Sequence, residues 1–207
     1  GVIIARDDLH YSISKHFLKK KIPVFIDKPL TSKLIELNFF KKYLKNGLLM
    51  STSGLRFANE VKFLKKNIKK LGKIKFVSAS VLNDFLKYGV HMLDILDELN
   101  LLKVKKIIRL KSSIDQAIFY CEKKIVIDLQ CLGNINKVFS LNLIGEKAST
   151  QIEINDNFSA FKNTLVNFIK MIKTKKPIIN YKKTMNVINV LIATNNLNYG
   201  KIQRFKK

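Results

Sequence analysis

The chain has 207 residues, of which 47% are hydrophobic, so it can bury a core for one large domain or two small ones. The formal net charge of +24 comes almost entirely from lysines scattered along the whole chain. Because base-reading proteins prefer arginine, this pattern argues for a solvated surface and against nucleic acid as a partner. No apolar run approaches the roughly 20 residues of a membrane span. The two cysteines lack metal-ligand spacing, which argues against a metal site and for a cytoplasmic protein with reduced thiols.

The first part of the chain alternates strands and helices. Short apolar runs predict strands, and apolar residues on one face predict the helices between them. In chain order these elements are a strand at 2–5, a helix at 8–20, a strand at 23–27, a helix from a Ser32 cap to about 45, and a strand at 48–51. Such βαβ spacing predicts a doubly wound parallel sheet.

The pattern changes after residue 56, where most strands follow one another without helices. The predicted elements are a helix at 59–71, a strand at 74–82, a helix at 91–99, strands at 104–111, 116–121, 124–131, 137–144 and 149–154, and two final helices, the second at about 182–199. Consecutive strands predict an antiparallel or mixed sheet. We therefore expect an α/β fold, with a parallel sheet in residues 1–55 and an α+β domain with an open, mainly antiparallel mixed sheet in residues 56–207.

The strand at 23–27 ends on a lysine that could face a ligand. Val24, Phe25 and Ile26 form a buried apolar run, and Pro29 cannot donate to a sheet ladder, so the strand stops near Lys28. In open α/β sheets, ligands bind at the carboxyl ends of the strands. A lysine–proline pair at a surface strand end is the alternative interpretation.

A second candidate group lies around His91. Asp94 is three residues after it and Lys87 four residues before it, so all three can approach one helix face. A histidine that relays a proton beside a lysine that polarises an oxygen is an acid–base set suited to oxidising an alcohol. A core or helix-capping histidine paired with Asp94 is the alternative. His10, near the start of the first helix, can reach the same sheet edge as Lys28.

These residues, in this order, resemble the Gfo/Idh/MocA family of NAD(P)-dependent sugar and polyol oxidoreductases. The matching segments are Ile26-Asp27-Lys28-Pro29-Leu30 for the family's Glu-Lys-Pro motif, Ala5-Arg6-Asp7-Asp8-Leu9-His10 for its Thr-Pro-Asn-x-x-His loop, Gly54-Leu55-Arg56-Phe57 for its Arg-Phe segment, and Gly89-Val90-His91-Met92-Leu93-Asp94 for its Gly-x-His-x-x-Asp segment. The last two helices are similar as well, so the resemblance covers nearly the whole chain.

The resemblance implies hydride transfer between NAD or NADP and a hydroxyl of a sugar, polyol or sugar nucleotide. It implies half of a Rossmann domain in residues 1–55 and a substrate-binding domain in residues 56–207, which forms a homo-oligomer through its open sheet. The implied site residues are Lys28 and His91 as catalytic groups, Lys87, Asp94 and Arg56 for the substrate, and Asp7, His10, Asp27, Lys28 and Pro29 for the cofactor.

Two departures from the family qualify these expectations. The family's glycine-rich nucleotide loop is absent from the sequence, and we expect it to lie upstream of Gly1, in a segment of about 60–70 residues at roughly 30 residues per βαβ step. This chain should then bind NAD(P) very weakly and turn over nothing. In addition, Lys87 stands where the family usually has aspartate, which suggests an anionic substrate or lost catalysis. The alternatives are a non-catalytic dimerising relative and a basic nucleic-acid-binding protein.

Overall fold

The structure, a computed structural model, describes residues 1–3 and 7–205. Within these residues the α-helices are α1 (Asp7–Lys19), α2 (Leu34–Lys45), α3 (Asn59–Asn67), α4 (Val90–Glu98), α5 (Asn157–Thr174) and α6 (Tyr181–Asn195). The strands of the same described ranges are β1 (Val2–Ile3), β2 (Val24–Ile26), β3 (Leu49–Ser51), β4 (Ile74–Val81), β5 (Val104–Lys111), β6 (Asp115–Cys121), β7 (Val126–Cys131), β8 (Phe139–Gly145), β9 (Ser149–Glu153) and β10 (Ile202–Arg204). Residues 4 and 5 of the predicted first strand lie outside the described residues. None of the described helices is long and apolar enough to cross a membrane.

The first sheet is small and parallel, with strand order β1-β2-β3. Because side chains alternate along a strand, Val24 and Ile26 pack with α1 and α2, while Phe25 points to the other face. There Phe25 and Met50 pack against Phe168 and Met171 of α5. The sheet is therefore covered on both faces, as the continuous apolar run of β2 predicts.

The second sheet has seven strands in the order β10-β5-β6-β7-β4-β8-β9. Only the β4–β7 pair is parallel, so the sheet is mixed and mainly antiparallel, as predicted. One face is buried, and α4 and α6 pack on it; α6 also packs against α2 and so joins the two sheets. The other face is half-buried to exposed and carries polar and apolar side chains side by side. The expected fold class is confirmed.

Four details differ from the sequence-based expectation. Ser32 does not cap α2. The N-cap position is Lys33, and the Lys33 N–H donates a hydrogen bond to the hydroxyl of the neighbouring Thr31. The helix at 59–71 is α-helical only to Asn67 and then tightens into a 3₁₀ turn. α6 ends at Asn195, four residues early, because the following residues turn to form β10. That strand was not predicted, since its pairing with β5 depends on a partner far away in the sequence.

Candidate active site

Lys28 lies where the small sheet meets the large one. It follows β2 at the carboxyl end of the parallel strands and is half-buried. Its Nζ donates to the backbone carbonyl of Lys87 at 3.3 Å, and it lies 5.7 Å from the centre of the Tyr88 ring. Both partners belong to the turn that leads into α4. The Lys28 side chain, which was predicted to face a ligand, therefore reaches from the small parallel sheet to the turn before α4, and α4 packs on the seven-stranded sheet.

His91 lies in the first turn of α4 and is fixed on several sides. A π-helical turn at Phe85–Gly89 precedes α4, and the ring follows directly after it. The His91 Nδ1 lies 2.6 Å from the hydroxyl oxygen of Ser53. The ring also stacks edge-on against Phe139, with centres 5.3 Å apart, and tilts against Tyr88. Among the described residues, Nε2 has no hydrogen-bond partner and remains available to a bound molecule.

The electrostatics of the site keep the imidazole neutral. Burial, assisted by the positive charge of Lys28, lowers the pKa of His91 to about 3. Desolvation disfavours the charged form, and a like charge nearby adds to the effect. At neutral pH the His91 imidazole is therefore neutral and lies near the positively charged side chain of Lys28.

Arg56 and Asp94 belong to a buried ionic group next to this pair. We call it the Arg56 cluster; it comprises Arg56, Asp94, Asp97 and Glu98. Arg56 Nη2 lies 2.6 Å from Asp94 Oδ1 and 3.0 Å from Asp97 Oδ2, and Nη1 lies 2.9 Å from Glu98 Oε2. Burial alone would lower the pKa of Arg56, but the carboxylates outweigh it and raise that pKa above its usual value.

The Arg56 cluster also holds the backbone next to the candidate catalytic histidine. The N–H of Ser53 donates to Asp94 Oδ2 at 2.6 Å, and Arg56 Nε donates to the Thr52 hydroxyl at 3.0 Å. Both Arg56 and Asp94 are almost fully buried. The sequence predicted a substrate contact for Arg56 and Asp94, with a pairing of Asp94 and His91 as the alternative. In the structure Arg56 and Asp94 bind each other, and Asp94 also accepts from the Ser53 N–H. These contacts make them supports of the segment that contacts His91.

The remaining predicted residues gather near the same strand end with different exposure. Pro29 is buried and its carbonyl accepts a hydrogen bond from His10 Nδ1 at 2.9 Å, so His10 supports the Lys28–Pro29 turn from inside the protein. Asp27 is half-buried beside Lys28. Lys87 is exposed, and its N–H donates to Asp84. Asp7 begins α1, and its side chain lies outside what the structure describes.

Three residues at the site were not predicted from the sequence: Ser53, Tyr88 and Phe139. Ser53 is the second residue after β3, at the carboxyl edge that also carries Lys28, and this position could have indicated it. Tyr88 adjoins two candidate residues. Phe139 comes from a strand far along the sequence, and nothing in its own neighbourhood points to His91.

Comparison with known proteins identifies relatives in structure only. No protein-family model matches the sequence, and no curated protein matches it significantly. Among solved structures, myo-inositol 2-dehydrogenase from Lactobacillus plantarum matches with a TM-score of 0.86 and 14% identity, over 99% of this chain and 80% of that chain. Scyllo-inositol dehydrogenase from Lactobacillus casei, with bound NAD(H) and scyllo-inositol, matches with a TM-score of 0.84 and 14% identity, over 98% and 79%. The WlbA dehydrogenase from Bordetella pertussis, in complex with NADH and UDP-GlcNAcA, matches with a TM-score of 0.77 and 14% identity, over 94% and 75%.

At this level of identity the similarity establishes the fold. The chain shares the architecture of these dehydrogenases over nearly its whole length, which is the architecture implied by the resemblance to the Gfo/Idh/MocA family.

Proposed function

We propose that this chain, with the fold of the inositol dehydrogenases, is an oxidoreductase of the Gfo/Idh/MocA type. It transfers a hydride between NAD or NADP and a hydroxyl of a sugar, polyol or sugar nucleotide. The observation that carries the proposal is the meeting of Lys28, after β2, and His91, on α4, which are close enough for the charge of Lys28 to lower the pKa of His91.

The roles of the two side chains follow from their chemistry. Lys28 donates a hydrogen bond to the reacting oxygen, which takes the place of the Lys87 carbonyl as acceptor. His91, neutral at physiological pH, exchanges a proton with that oxygen through Nε2. The nicotinamide, when bound, supplies or accepts the hydride. The tyrosine and phenylalanine rings around His91 limit the access of water to it.

The residues of this chain fit one end of the cofactor. Lys28, Pro29 and Asp27 lie at the carboxyl ends of the small parallel sheet, where a nicotinamide ring would be held, and His10 supports their turn. The sequence contains no Gly-x-Gly-x-x-Gly segment to hold the pyrophosphate. We therefore propose that the 207 residues bind the nicotinamide part of the cofactor weakly and show no turnover by themselves.

Saturation-transfer NMR tests this proposal, because it detects weak binding and resolves the two ends of the ligand. With NADH, we expect the nicotinamide protons to receive more saturation than the adenine protons. Reduced nicotinamide mononucleotide should bind about as well as NADH, and Lys28→Met should weaken both signals. A stronger adenine signal, no dependence on Lys28, or a calorimetric Kd in the micromolar range for NADH would contradict it.

We further propose a homo-oligomer formed through the open face of the seven-stranded sheet. On that face the side chains of Gln116, Asp128, Gln130 and Ser80 bond to one another, with Gln116 Nε2 2.7 Å from Asp128 Oδ1. These polar groups bond to one another, which lowers the cost of covering them, and Ile118 beside them contributes apolar surface. The buried free thiols of Cys121 and Cys131 suit a cytoplasmic protein.

A non-catalytic relative that keeps only the oligomer is the second candidate. Lys87 in place of the family's usual aspartate and the absence of a glycine-rich segment favour it. Oligomerisation without any saturation transfer from NADH would support this function over the enzymatic one.

A further inference from the structure

Ser53 makes two hydrogen-bond contacts through its hydroxyl, and only one of them has a fixed direction. The Leu55 N–H donates to Ser53 Oγ at 3.1 Å, so the oxygen is an acceptor there. The other contact is to His91 Nδ1 at 2.6 Å, where either atom can donate. Ser53 is fully buried. Its hydroxyl proton therefore has to find an acceptor inside the protein.

His91 Nδ1 is the acceptor within reach. Among the described residues, no other acceptor lies within hydrogen-bond distance of the Ser53 hydroxyl. Leaving a buried hydroxyl donor unpaired is unfavourable, and nearly all such groups in proteins are paired. If Nδ1 carried a proton, that proton and the Ser53 hydroxyl proton could not both lie between Nδ1 and Oγ. The hydroxyl proton would then have no acceptor.

We propose that Ser53 is a positioning residue for His91: its hydroxyl donates to Nδ1 and holds the neutral ring in the tautomer that carries its proton on Nε2. This inference rests on the proposed function only for its catalytic consequence. The nitrogen offered to a bound molecule is then a proton donor, which suits a carbonyl or alkoxide oxygen. For Nε2 to accept a proton instead, its own proton would have to leave and Nδ1 would have to gain one, which leaves the Ser53 hydroxyl proton without its acceptor.

The backbone supports of Ser53 make it rigid enough for this task. Its N–H is held by Asp94, which is in turn held by Arg56, and its hydroxyl receives the Leu55 N–H. The Arg56 cluster thus fixes Ser53, and Ser53 fixes the ring. This explains why a buried charged cluster lies beside a neutral histidine without contacting it.

Nitrogen-15 NMR of the histidine rings measures the tautomer directly and requires neither cofactor nor substrate. The chain has three histidines, and loss of one signal set in His91→Gln identifies that of His91. At neutral pH we expect the His91 Nδ1 signal to be of the unprotonated type and the Nε2 signal of the protonated type. His10 provides the internal contrast, because its Nδ1 faces the Pro29 carbonyl, which can only accept, and must therefore carry a proton.

Variants separate positioning from mere structural support. Ser53→Ala should move the His91 signals toward a mixture of tautomers, and Ser53→Thr, which keeps the hydroxyl, should restore them. Ser51→Ala removes another buried hydroxyl from the same strand end and should leave the His91 signals unchanged. A protonated Nδ1 on His91 in the wild-type protein, or His91 signals unaffected by Ser53→Ala, would overturn the inference.

The catalytic consequence has its own readout. Where hydride transfer is measurable, Ser53→Ala should lower kcat about tenfold, the effect of one hydrogen bond, and leave the KM of the cofactor unchanged. Absence of saturation transfer from NADH would count against the proposed function alone, since the tautomer measurement does not depend on the cofactor.

Discussion

The low pKa of His91 goes with its surroundings, because no carboxylate of the described residues bonds to the ring to stabilise its charged form. Asp94, the carboxylate nearest in sequence, is bound by Arg56 and the Ser53 N–H instead. A carboxylate hydrogen-bonded to a histidine raises the pKa of the ring, whereas a hydroxyl in the same position does not. The state of the ring is therefore set by burial and by Lys28, and both favour the neutral form.

This low pKa predicts a particular pH dependence of stability. His91 has a pKa of about 3 in the folded protein and near its ordinary 6.5 when unfolded. Below about pH 6.5 the unfolded chain takes up a proton that the folded chain does not, so wild-type protein loses stability as the pH falls toward 3. His91→Gln lacks this titration and should gain on wild type by at most about 1.4 kcal/mol per pH unit.

Urea unfolding at several pH values measures this difference. Lys28→Met serves as the second arm: removing the charge should raise the pKa of His91, so the loss of stability should cease at a higher pH. A constant difference between His91→Gln and wild type from pH 7 to pH 4 would contradict the low pKa.

Lys87 bears on the choice of substrate. Its backbone carbonyl receives the Lys28 ammonium, so a second lysine stands beside the site, with its side chain exposed. Such a site favours an anionic sugar, and Lys87→Asp should reverse the preference. We expect Lys87→Asp to weaken binding of an acidic sugar about tenfold or more relative to its neutral counterpart, as measured by NMR titration. An unchanged preference would leave the anionic substrate without support; Lys182→Asp, on α6, is the control for total charge.

For single residues, the sequence pointed to Lys28 and His91 as the candidate catalytic pair. It did not point to Ser53, the residue proposed to orient the His91 ring. Lys28 follows a strand whose end is marked by proline, and His91 falls on a recognisable helix start. Ser53 gives no such signal, because serine after a strand is common and its partner is 38 residues away. Arg56 and Asp94 were recognised from a motif, but their burial depends on packing between α4 and the loop after β3, which spacing does not reveal.

Among the elements, the loop after β3 and α4 depend on each other through the Arg56 cluster. Arg56 is 1% exposed and, among the described residues, is the one cation paired with the buried Asp94, so removing its charge leaves that carboxylate without compensation, whereas Asp97 and Glu98 keep Lys183. Arg56→Ala should destabilise the protein by about 3–5 kcal/mol. Chemical unfolding measures this loss, with Lys75→Ala as control: Lys75 pairs with Glu146 at 2.7 Å on the surface and its loss should be within error. Equal effects of the two changes would show that the cluster contributes no more than a surface pair.

The order of helices and strands was largely readable from the sequence, and the exceptions share a cause. Periodic apolar residues indicated α1, α2 and α5, and turn residues separated β6 from β7. β10 has three residues and gains its stability from β5, to which it pairs in antiparallel fashion. Short elements of this kind depend on tertiary partners, which local pattern does not contain.

For the whole molecule, the open sheet face predicts the state of assembly. Placing a charge there should separate the subunits, since an unpaired buried charge is costly at an interface. We expect wild-type protein to elute as a dimer and Ile118→Glu as a monomer in size-exclusion chromatography with light scattering. Ile35→Glu replaces an apolar residue that is 80% exposed on α2 and should leave the dimer intact. A wild-type monomer at micromolar concentration would exclude this face as a stable interface.

The position of α5 has a consequence for the order in which the protein acquires its structure during synthesis. Phe25 and Met50 leave the ribosome well before Phe168 and Met171, which cover them. The nascent small sheet therefore keeps one apolar face uncovered until α5 has been translated. Completion of the first sheet waits for that helix, and exposed apolar surface of this kind is what makes nascent chains prone to aggregate and dependent on chaperones.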